Sequence, residues 1–278
     1  MSKFWKIFGI IGLVALSAAF WYVIFTYAPA EETFTDETYE EELSTSPWSE
    51  DRSCNIAGIN FHGDLMTYVP YADQDYDYAS GEDLLWLLDE AEEDKNIKAI
   101  ILEIDSYGGS PVAAEELGNK IKSMEKPVIV VGRDVMLSAG YWVASAADRV
   151  FASELSDIGS IGVTMSYVDE SKLNDMEGYT WNSLSTGKFK DSGTTQKALT
   201  AEERALFERD IAIIFDKFVR VVSENRGIPV EKVRELADGS TMLGAMALEN
   251  GLIDAIGSIT DAESYIATTL SIEPETCW

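Results

Sequence analysis

Ile97-Lys-Ala-Ile-Ile-Leu-Glu-Ile-Asp-Ser-Tyr-Gly-Gly-Ser-Pro111 is the stretch on which the fold turns. From Ile97 to Ile104 it is a near-continuous apolar run with β-branched side chains, which reads as a strand of a parallel sheet buried on both faces. Gly108 and Gly109 then break the run, and Pro111 opens a helical pattern that continues to Met124. The same alternation extends in both directions. Upstream, Ile56–Phe61 alternates like a strand. From Ser80 to Lys95, Leu84, Leu85, Leu87, Leu88 and Ala91 fall at helical spacing, with Ser80 placed to cap the helix. Downstream, Pro127–Gly132 is a second buried strand, Ala139–Ala147 a helix of small residues and Arg149–Ala152 a short strand. Thr200–Glu224 reads as a long amphipathic helix, Pro229–Ala237 and Gly244–Asn250 as shorter ones, the last ended by Gly251. Strands alternating with helices imply an α/β fold, a parallel sheet flanked by helices.

This pattern occupies only part of the 278 residues. Residues 1–6 carry Lys3 and Lys6, and residues 7–27 form an uncharged apolar run about as long as a helix needs to cross the hydrocarbon core of a bilayer. With positive charge before the run and acidic residues after it, residues 1–6 are expected in the cytoplasm and the remainder outside it, at a cell membrane crossed once. Trp5, Trp21, Tyr22 and Tyr27 suit the two interfaces. A cleaved signal peptide ending at Ala28-Pro-Ala30 is the competing reading, but the apolar core is longer than such peptides use. Residues 28–53 are rich in Glu, Asp, Ser and Thr and are expected to be a flexible acidic spacer. Residues 54–270 then form the folded domain, and 271–278 a C-terminal tail.

The formal net charge of −28 makes nucleic acid and anionic lipid headgroups poor partners. The two cysteines, Cys54 and Cys277, have no metal-ligand spacing. They lie near opposite ends of the folded part, and domain termini are often close in space. A disulfide between them is therefore geometrically conceivable in an oxidising compartment, with two unpaired thiols as the alternative.

Three loops follow successive strands: Glu103-Ile-Asp-Ser-Tyr-Gly-Gly-Ser-Pro111, Asp134-Val-Met-Leu-Ser-Ala-Gly-Tyr141 and Asp157-Ile-Gly-Ser-Ile-Gly-Val163. In open parallel sheets, functional groups gather beyond the carboxyl ends of the strands, so these loops are expected to converge. Together with Gly187-Lys-Phe-Lys-Asp191, Ala237-Asp-Gly239 and Ala247-Leu-Glu-Asn-Gly-Leu-Ile-Asp254, they occur in an order that resembles the signal peptide peptidase A (SppA) family of the ClpP/crotonase fold. The resemblance covers roughly Ile56 to Ala267. Two departures stand out: Tyr107 replaces the proline usual before the Gly-Gly pair, and Ser240, Thr241 and Met242 replace the Arg and aromatic residue often found after Ala-Asp-Gly.

The resemblance implies a serine peptidase with Ser138 as nucleophile. A serine hydroxyl needs a base, and the sole histidine, His62, precedes every other motif and reads as a strand-end residue. A lysine is the alternative base. Its reference pKa of about 10.4 requires that desolvation favour the neutral form. If the segment is extended, Lys188 and Lys190 share a face, so periodicity does not separate them; the resemblance selects Lys190. It also assigns the oxyanion donors to the Gly108-Gly109 turn and the nucleophile loop at Ala139, and gives Ser160 the orientation of the lysine. No cofactor or metal is implied. The implied substrates are extended peptides with small or apolar side chains, such as cleaved signal peptides, and the implied assembly is a homo-oligomeric ring. The Thr200–Glu224 helix is a candidate assembly surface, with core packing as its simpler role. Three other readings stand beside this one. They are an acyl-CoA enzyme on the same fold (disfavoured by the lack of an evident basic phosphate site), an inactive assembly or regulatory factor, and a peptidase for one membrane-protein tail.

Overall fold

The computed structural model describes residues 47–48, 54–69 and 77–278. The chain divides into two units, Met1–Thr45 and Ser46–Trp278. The first unit, with the anchor expected over 7–27, lies outside the described residues, as does most of the spacer expected over 28–53. Among the described residues, no helix is long and apolar enough to cross a membrane.

The second unit runs β1 (Ile56–His62), β2 (Asp64–Met66), β3 (Tyr78–Ser80), α1 (Gly81–Glu93), β4 (Ala99–Ser106), α2 (Pro111–Ser123), β5 (Val128–Leu137), α3 (Ala139–Ser145), β6 (Arg149–Ala152) and β7 (Asp157–Gly159). It continues through α4 (Ser171–Glu177), α5 (Ala201–Arg226), α6 (Val230–Leu236), β8 (Thr241–Leu243), α7 (Gly244–Glu249), β9 (Ala255–Ile256), α8 (Ile259–Leu270) and β10 (Thr276–Cys277). The main sheet has the order β10-β1-β4-β5-β6-β9, with every neighbouring pair in that path parallel.

The apolar run of β4 is continuous because both faces of the sheet are covered. Successive side chains of a strand point to opposite faces. Ile100, Leu102 and Ile104 join the larger core beneath α1, α2 and α3, whereas Ala99 and Ile101 join a second cluster with Ala262 and Ile266 of α8. The polar side chain of Glu103 falls on the second face but belongs to neither cluster; there it meets His62 at 2.9 Å and Arg133 at 3.7 Å.

β5 extends past the Gly132 boundary read from the sequence because it changes partners midway. Ile129–Gly132 pair with β6, and Val135–Leu137 pair with β7. The register shift against β4 lies between Ile104 and Ser106, where Asp105 Oδ1 accepts the Val135 N–H at 3.0 Å. This carboxylate replaces a ladder bond at the irregularity and carries β5 on to Ser138.

α5 begins with a capping box, Thr200 and Glu203 exchanging hydrogen bonds, and ends at Gly227 in the left-handed conformation. Phe218, Val219 and Val222 bury its C-terminal half, and Phe218 stacks on Trp142 of α3 with ring centroids 4.9 Å apart. At its last turn, Arg226 makes a bidentate ion pair with Asp254 at 2.8 and 3.0 Å and donates to the Gly251 carbonyl. Asp254 in turn accepts the Val150 N–H at 2.7 Å, so α5 is fastened to the sheet.

Residues 271–278, read as the C-terminal tail, carry a strand and a cross-link. Thr276 and Cys277 form β10 against β1, and Cys54 and Cys277 are joined as a disulfide with Cα atoms 5.7 Å apart. The alternative of two unpaired thiols therefore does not hold. The Trp278 ring lies over Gly58, where an added Cβ would come within 2.4 Å of it. At the other end, Trp48, within the residues read as spacer, is buried against the main core.

The cross-link spans 223 residues. A chain-entropy treatment of so long a loop gives an upper bound of about 5 kcal/mol of stabilisation. Cys277→Ser should therefore lower the melting temperature of the oxidised protein by about 5–15 °C. Calorimetry of the variant beside the wild type, each with and without reductant, checks this, and the reductant should move only the wild type.

Candidate active site

β4 and β5 are adjacent and parallel, so the loops leaving their carboxyl ends meet. The Gly-Gly turn after β4 requires glycine: φ is +128° at Gly108 and +138° at Gly109, values that side-chain-bearing residues rarely adopt. It also requires the absence of a side chain. A Cβ on Gly108 would sit 2.8 Å from Ser138 Cβ and 3.1 Å from its Oγ, and a Cβ on Gly109 would strike the backbone of Leu65. Leu65 holds the turn from β2, its N–H donating to Gly108 O at 2.7 Å and its carbonyl accepting the Ser110 N–H at 2.7 Å.

The anchor of this turn is Ser106, a residue quoted in the motif but given no role in the sequence reading. Its side chain is fully buried. Its Oγ donates to the Gly63 carbonyl at 2.6 Å and accepts the Gly108 N–H at 3.2 Å. The Gly140 backbone passes close by; a Cβ there would lie 3.2 Å from Ser106 Cβ. One hydroxyl thus ties the ends of β1 and β4 together beneath the turn at Ser138. The clue in the sequence was a small polar residue at an inward position of an otherwise apolar strand, and only the register makes that position visible.

Ser138 sits between β5 and α3 with φ +50° and ψ −118°, outside the conformations ordinary for a non-glycine residue. Its N–H donates to Gly159 O at 2.8 Å, and its carbonyl accepts from Trp142 N–H at 2.9 Å. The third loop is thereby drawn in. Ser160 also has positive φ, +47°, and donates its N–H to Ser240 O at 3.0 Å and its Oγ to Gly239 O at 3.2 Å. Tyr141, wholly buried, secures α3 by donating its hydroxyl to Leu252 O at 2.9 Å, and burial raises its pKa far above the ordinary tyrosine value.

Ser138, Ala139, Gly109 and Ser160 line one cavity of about 590 Å³. Trp142, Val163, Met165, Ile211, Ile214 and Phe218 give it apolar walls, and Tyr107, in the place of the expected proline, stands exposed at its rim. The expected oxyanion donors divide. The Gly108 N–H is committed to Ser106 Oγ, whereas the N–H groups of Gly109 and Ala139 have no hydrogen-bond partner among the described residues. Gly109 and Ala139 therefore carry the unpaired amides beside this cavity, and Gly108 leaves space beside Ser138 Oγ.

Neither lysine is among the residues that line this cavity. Lys188 and Lys190 both lie exposed on the loop around residues 187–193, and Lys188 is paired with Glu202. His62 is likewise outside the cavity and occupied with Glu103. Among the described residues, no group of His, Cys, Asp and Glu side chains is arranged to hold a metal ion.

A hydroxyl presented on a strained strand-to-helix turn, beside two unpaired amides and under apolar walls, is equipped for acyl transfer through a covalent serine intermediate. The sequence comparisons agree with that class. The profile of Peptidase family S49 matches residues 120–273. An Enterococcus faecium protein named as a candidate signal peptide peptidase SppA is 31% identical over 231 residues, covering 82% of this chain and 65% of its own length. Protease 4 of Haemophilus influenzae is 31% identical over 211 residues, 74% of this chain and 33% of its own. The chloroplastic serine protease SPPA of Arabidopsis thaliana is 35% identical over 184 residues, 65% of this chain and 27% of its own. The chain thus spans less than two thirds of the length of each of these relatives. A solved structure of a ClpP1 point mutant from Listeria monocytogenes superposes with a TM-score of 0.48 at 17% identity, over 73% of this chain and 92% of that one. The chain belongs to Peptidase family S49.

Ser106→Ala should leave both the Gly63 carbonyl and the Gly108 N–H without their partner. Unpaired buried polar groups cost about 1–3 kcal/mol. The variant is expected to fold, to melt several degrees lower and to lose reactivity of Ser138 toward a serine-directed fluorophosphonate. Labelling rate measured beside circular dichroism checks both effects.

Proposed function

We propose that the protein is a membrane-anchored serine endopeptidase that uses a Ser138–Lys190 dyad to degrade apolar peptides, cleaved signal peptides among them. The observation that carries this reading is Ser138 itself, held at positive φ with its Oγ beside Gly108, in a cavity shared with the Gly109 and Ala139 amides.

In the proposed reaction, Ser138 Oγ adds to the carbonyl carbon of the scissile bond as its proton passes to the neutral amine of Lys190. The developing oxyanion accepts hydrogen bonds from Gly109 N–H and Ala139 N–H, donors with no competing acceptor among the described residues. Collapse of the tetrahedral species expels the amine, which takes the proton from Lys190, and leaves an ester on Ser138. Water, deprotonated by the same lysine, then hydrolyses the ester and restores the hydroxyl. Ser160, on the cavity wall, would orient the lysine once the dyad is formed. The aromatic and aliphatic walls suit apolar substrate side chains.

Because Lys190 does not line the cavity of its own chain, we infer that the dyad is completed in a homo-oligomeric ring, the lysine of one copy reaching the serine of the next. The segment leading to Lys190 supports this. Met176, Tyr179, Trp181, Leu184 and Phe189 are all exposed, an apolar surface that a second copy would cover. The anchor over residues 7–27 would hold the domain outside the cytoplasm, near membrane-borne substrates, and the Cys54–Cys277 disulfide suits an oxidising compartment.

Ser138→Ala and Lys190→Ala should each lower turnover of an apolar fluorogenic peptide by roughly 10³-fold or more while leaving the fold intact. If Lys188→Ala is the inactive variant instead, the base is misassigned. Co-expression of the two inactive chains separates the geometries. A dyad shared between neighbours restores about a quarter of wild-type activity, and a dyad within one chain restores none.

A further inference from the structure

The loop that carries Lys190 has little apolar packing of its own, yet it is tied to the first turn of α5 by charge. Gly187 and Gly193, both at positive φ, bracket the residues between them. Lys197 Nζ donates to Glu203 Oε1 at 2.6 Å and pairs with Asp191 Oδ1 at 3.2 Å. The Glu203 side chain is only 3% exposed. It also accepts hydrogen bonds from Thr200 N–H at 2.8 Å, Thr200 Oγ1 at 2.9 Å and Ser192 Oγ at 3.2 Å. The hydrogen bond from Lys197, followed by that from the Thr200 backbone, holds the Glu203 carboxyl down to about 2. Hydrogen bonds from Ser183 and then Lys197 hold the Asp191 carboxyl below its ordinary value. The far end of the loop is fixed by Glu170 N–H donating to Thr195 O at 2.7 Å and Asn174 Nδ2 donating to Gln196 Oε1 at 2.9 Å.

An enclosed carboxylate is a poor device for stability alone, because its desolvation offsets most of what pairing returns. Its benefit is directional: the acceptor sites of Glu203 fix the positions of Ser192, Lys197 and Thr200, and Lys197 then fixes Asp191. Asp191 is the residue next to Lys190. We propose that the Asp191–Lys197–Glu203 chain is the positioning device for Lys190. It pins the backbone beside Lys190 to α5 and keeps the Asp191 carboxylate turned away from the Lys190 amine. This rests on the reading of Lys190 as the base.

The second role matters because a base must be uncharged to act. A carboxylate released beside Lys190 would favour its ammonium form, so part of the enzyme would stay protonated at neutral pH. Two other charged groups on or beside the loop are engaged elsewhere, Lys188 with Glu202 and Glu170 with the Gln196 side chain. Lys197 is the cation that holds Asp191, together with the Ser183 hydroxyl.

The test uses the full chain and an apolar fluorogenic peptide, with kcat and KM followed across pH for Lys197→Met, Lys197→Arg and Lys190→Ala. Lys197→Met should lower kcat at neutral pH by about 10–100-fold, with KM within about twofold because Lys197 does not line the cavity. The acidic limb of its kcat/KM profile should move up by about one pH unit. Lys197→Arg should restore both, and adding Asp191→Asn to Lys197→Met should return the limb without restoring all of kcat. A wild-type kcat in Lys197→Met overturns the proposal, as does a lower kcat with an unmoved limb, which is what loop disorder alone would give. An active Lys190→Ala removes the base assignment and the proposal with it. An inactive Lys190→Ala beside a wild-type Lys197→Met removes only the positioning role.

Discussion

Ser138 is held at φ +50°, a conformation that costs a side-chain-bearing residue about 1–3 kcal/mol, and much of the surrounding structure works to keep it there. The strain turns the chain sharply from β5 into α3 and exposes Oγ to the cavity. It persists because each neighbour is fixed separately. The Ser138 N–H is held by Gly159 O, the first turn of α3 closes on the Ser138 carbonyl, and the wall opposite is a pair of glycines that leave room for the hydroxyl. Gly108 is confined in turn by Ser106 and Leu65, and α3 by Tyr141 on Leu252. The long reach of these contacts explains why motifs far apart in sequence belong to one site. Leu252 lies in the segment fastened by Arg226 and Asp254, more than a hundred residues beyond the serine whose helix it supports.

How much of this was legible in the sequence depended on whether the signal was periodic. The β4 run, the small-residue helix after Ser138 and the amphipathic pattern of α5 all follow from spacing, and the structure places them within a few residues of the expected limits. The boundary of β5 was misjudged because periodicity does not reveal a change of partner; the event is marked by Asp105 accepting the Val135 N–H, a contact between neighbouring strands. β10 was missed because two residues and an edge position carry no pattern. There the information lay in Cys277, whose partner is fixed by geometry rather than spacing.

The same distinction runs through the site. Ser138, Gly109, Ala139 and Ser160 were singled out because each stands in a short motif at a strand end, and all four line one cavity. Gly108 was expected among the oxyanion donors; its N–H donates to Ser106 Oγ, a contact that sequence order cannot show. Lys188 and Lys190 could not be separated by spacing, and within one chain the fold does not separate them by proximity to Ser138 either, since both are exposed and outside its cavity.

That asymmetry between Ser138 and Lys190 is itself informative. Ser138 is fixed by hydrogen bonds set within a dense apolar core, which resists displacement because close-packed side chains have few alternative arrangements. The Lys190 segment is fixed by hydrogen bonds and ion pairs around one enclosed carboxylate, contacts that are directional and sensitive to pH and charge. Apolar side chains on the approach to Lys190 remain largely exposed, so they contribute little to holding the loop within this chain. If a neighbouring copy covers them, as proposed, assembly supplies the burial that the monomer lacks, and the polar network sets the direction in which the lysine is presented. The rigid half of the site would then be a property of folding, and the completed dyad a property of association.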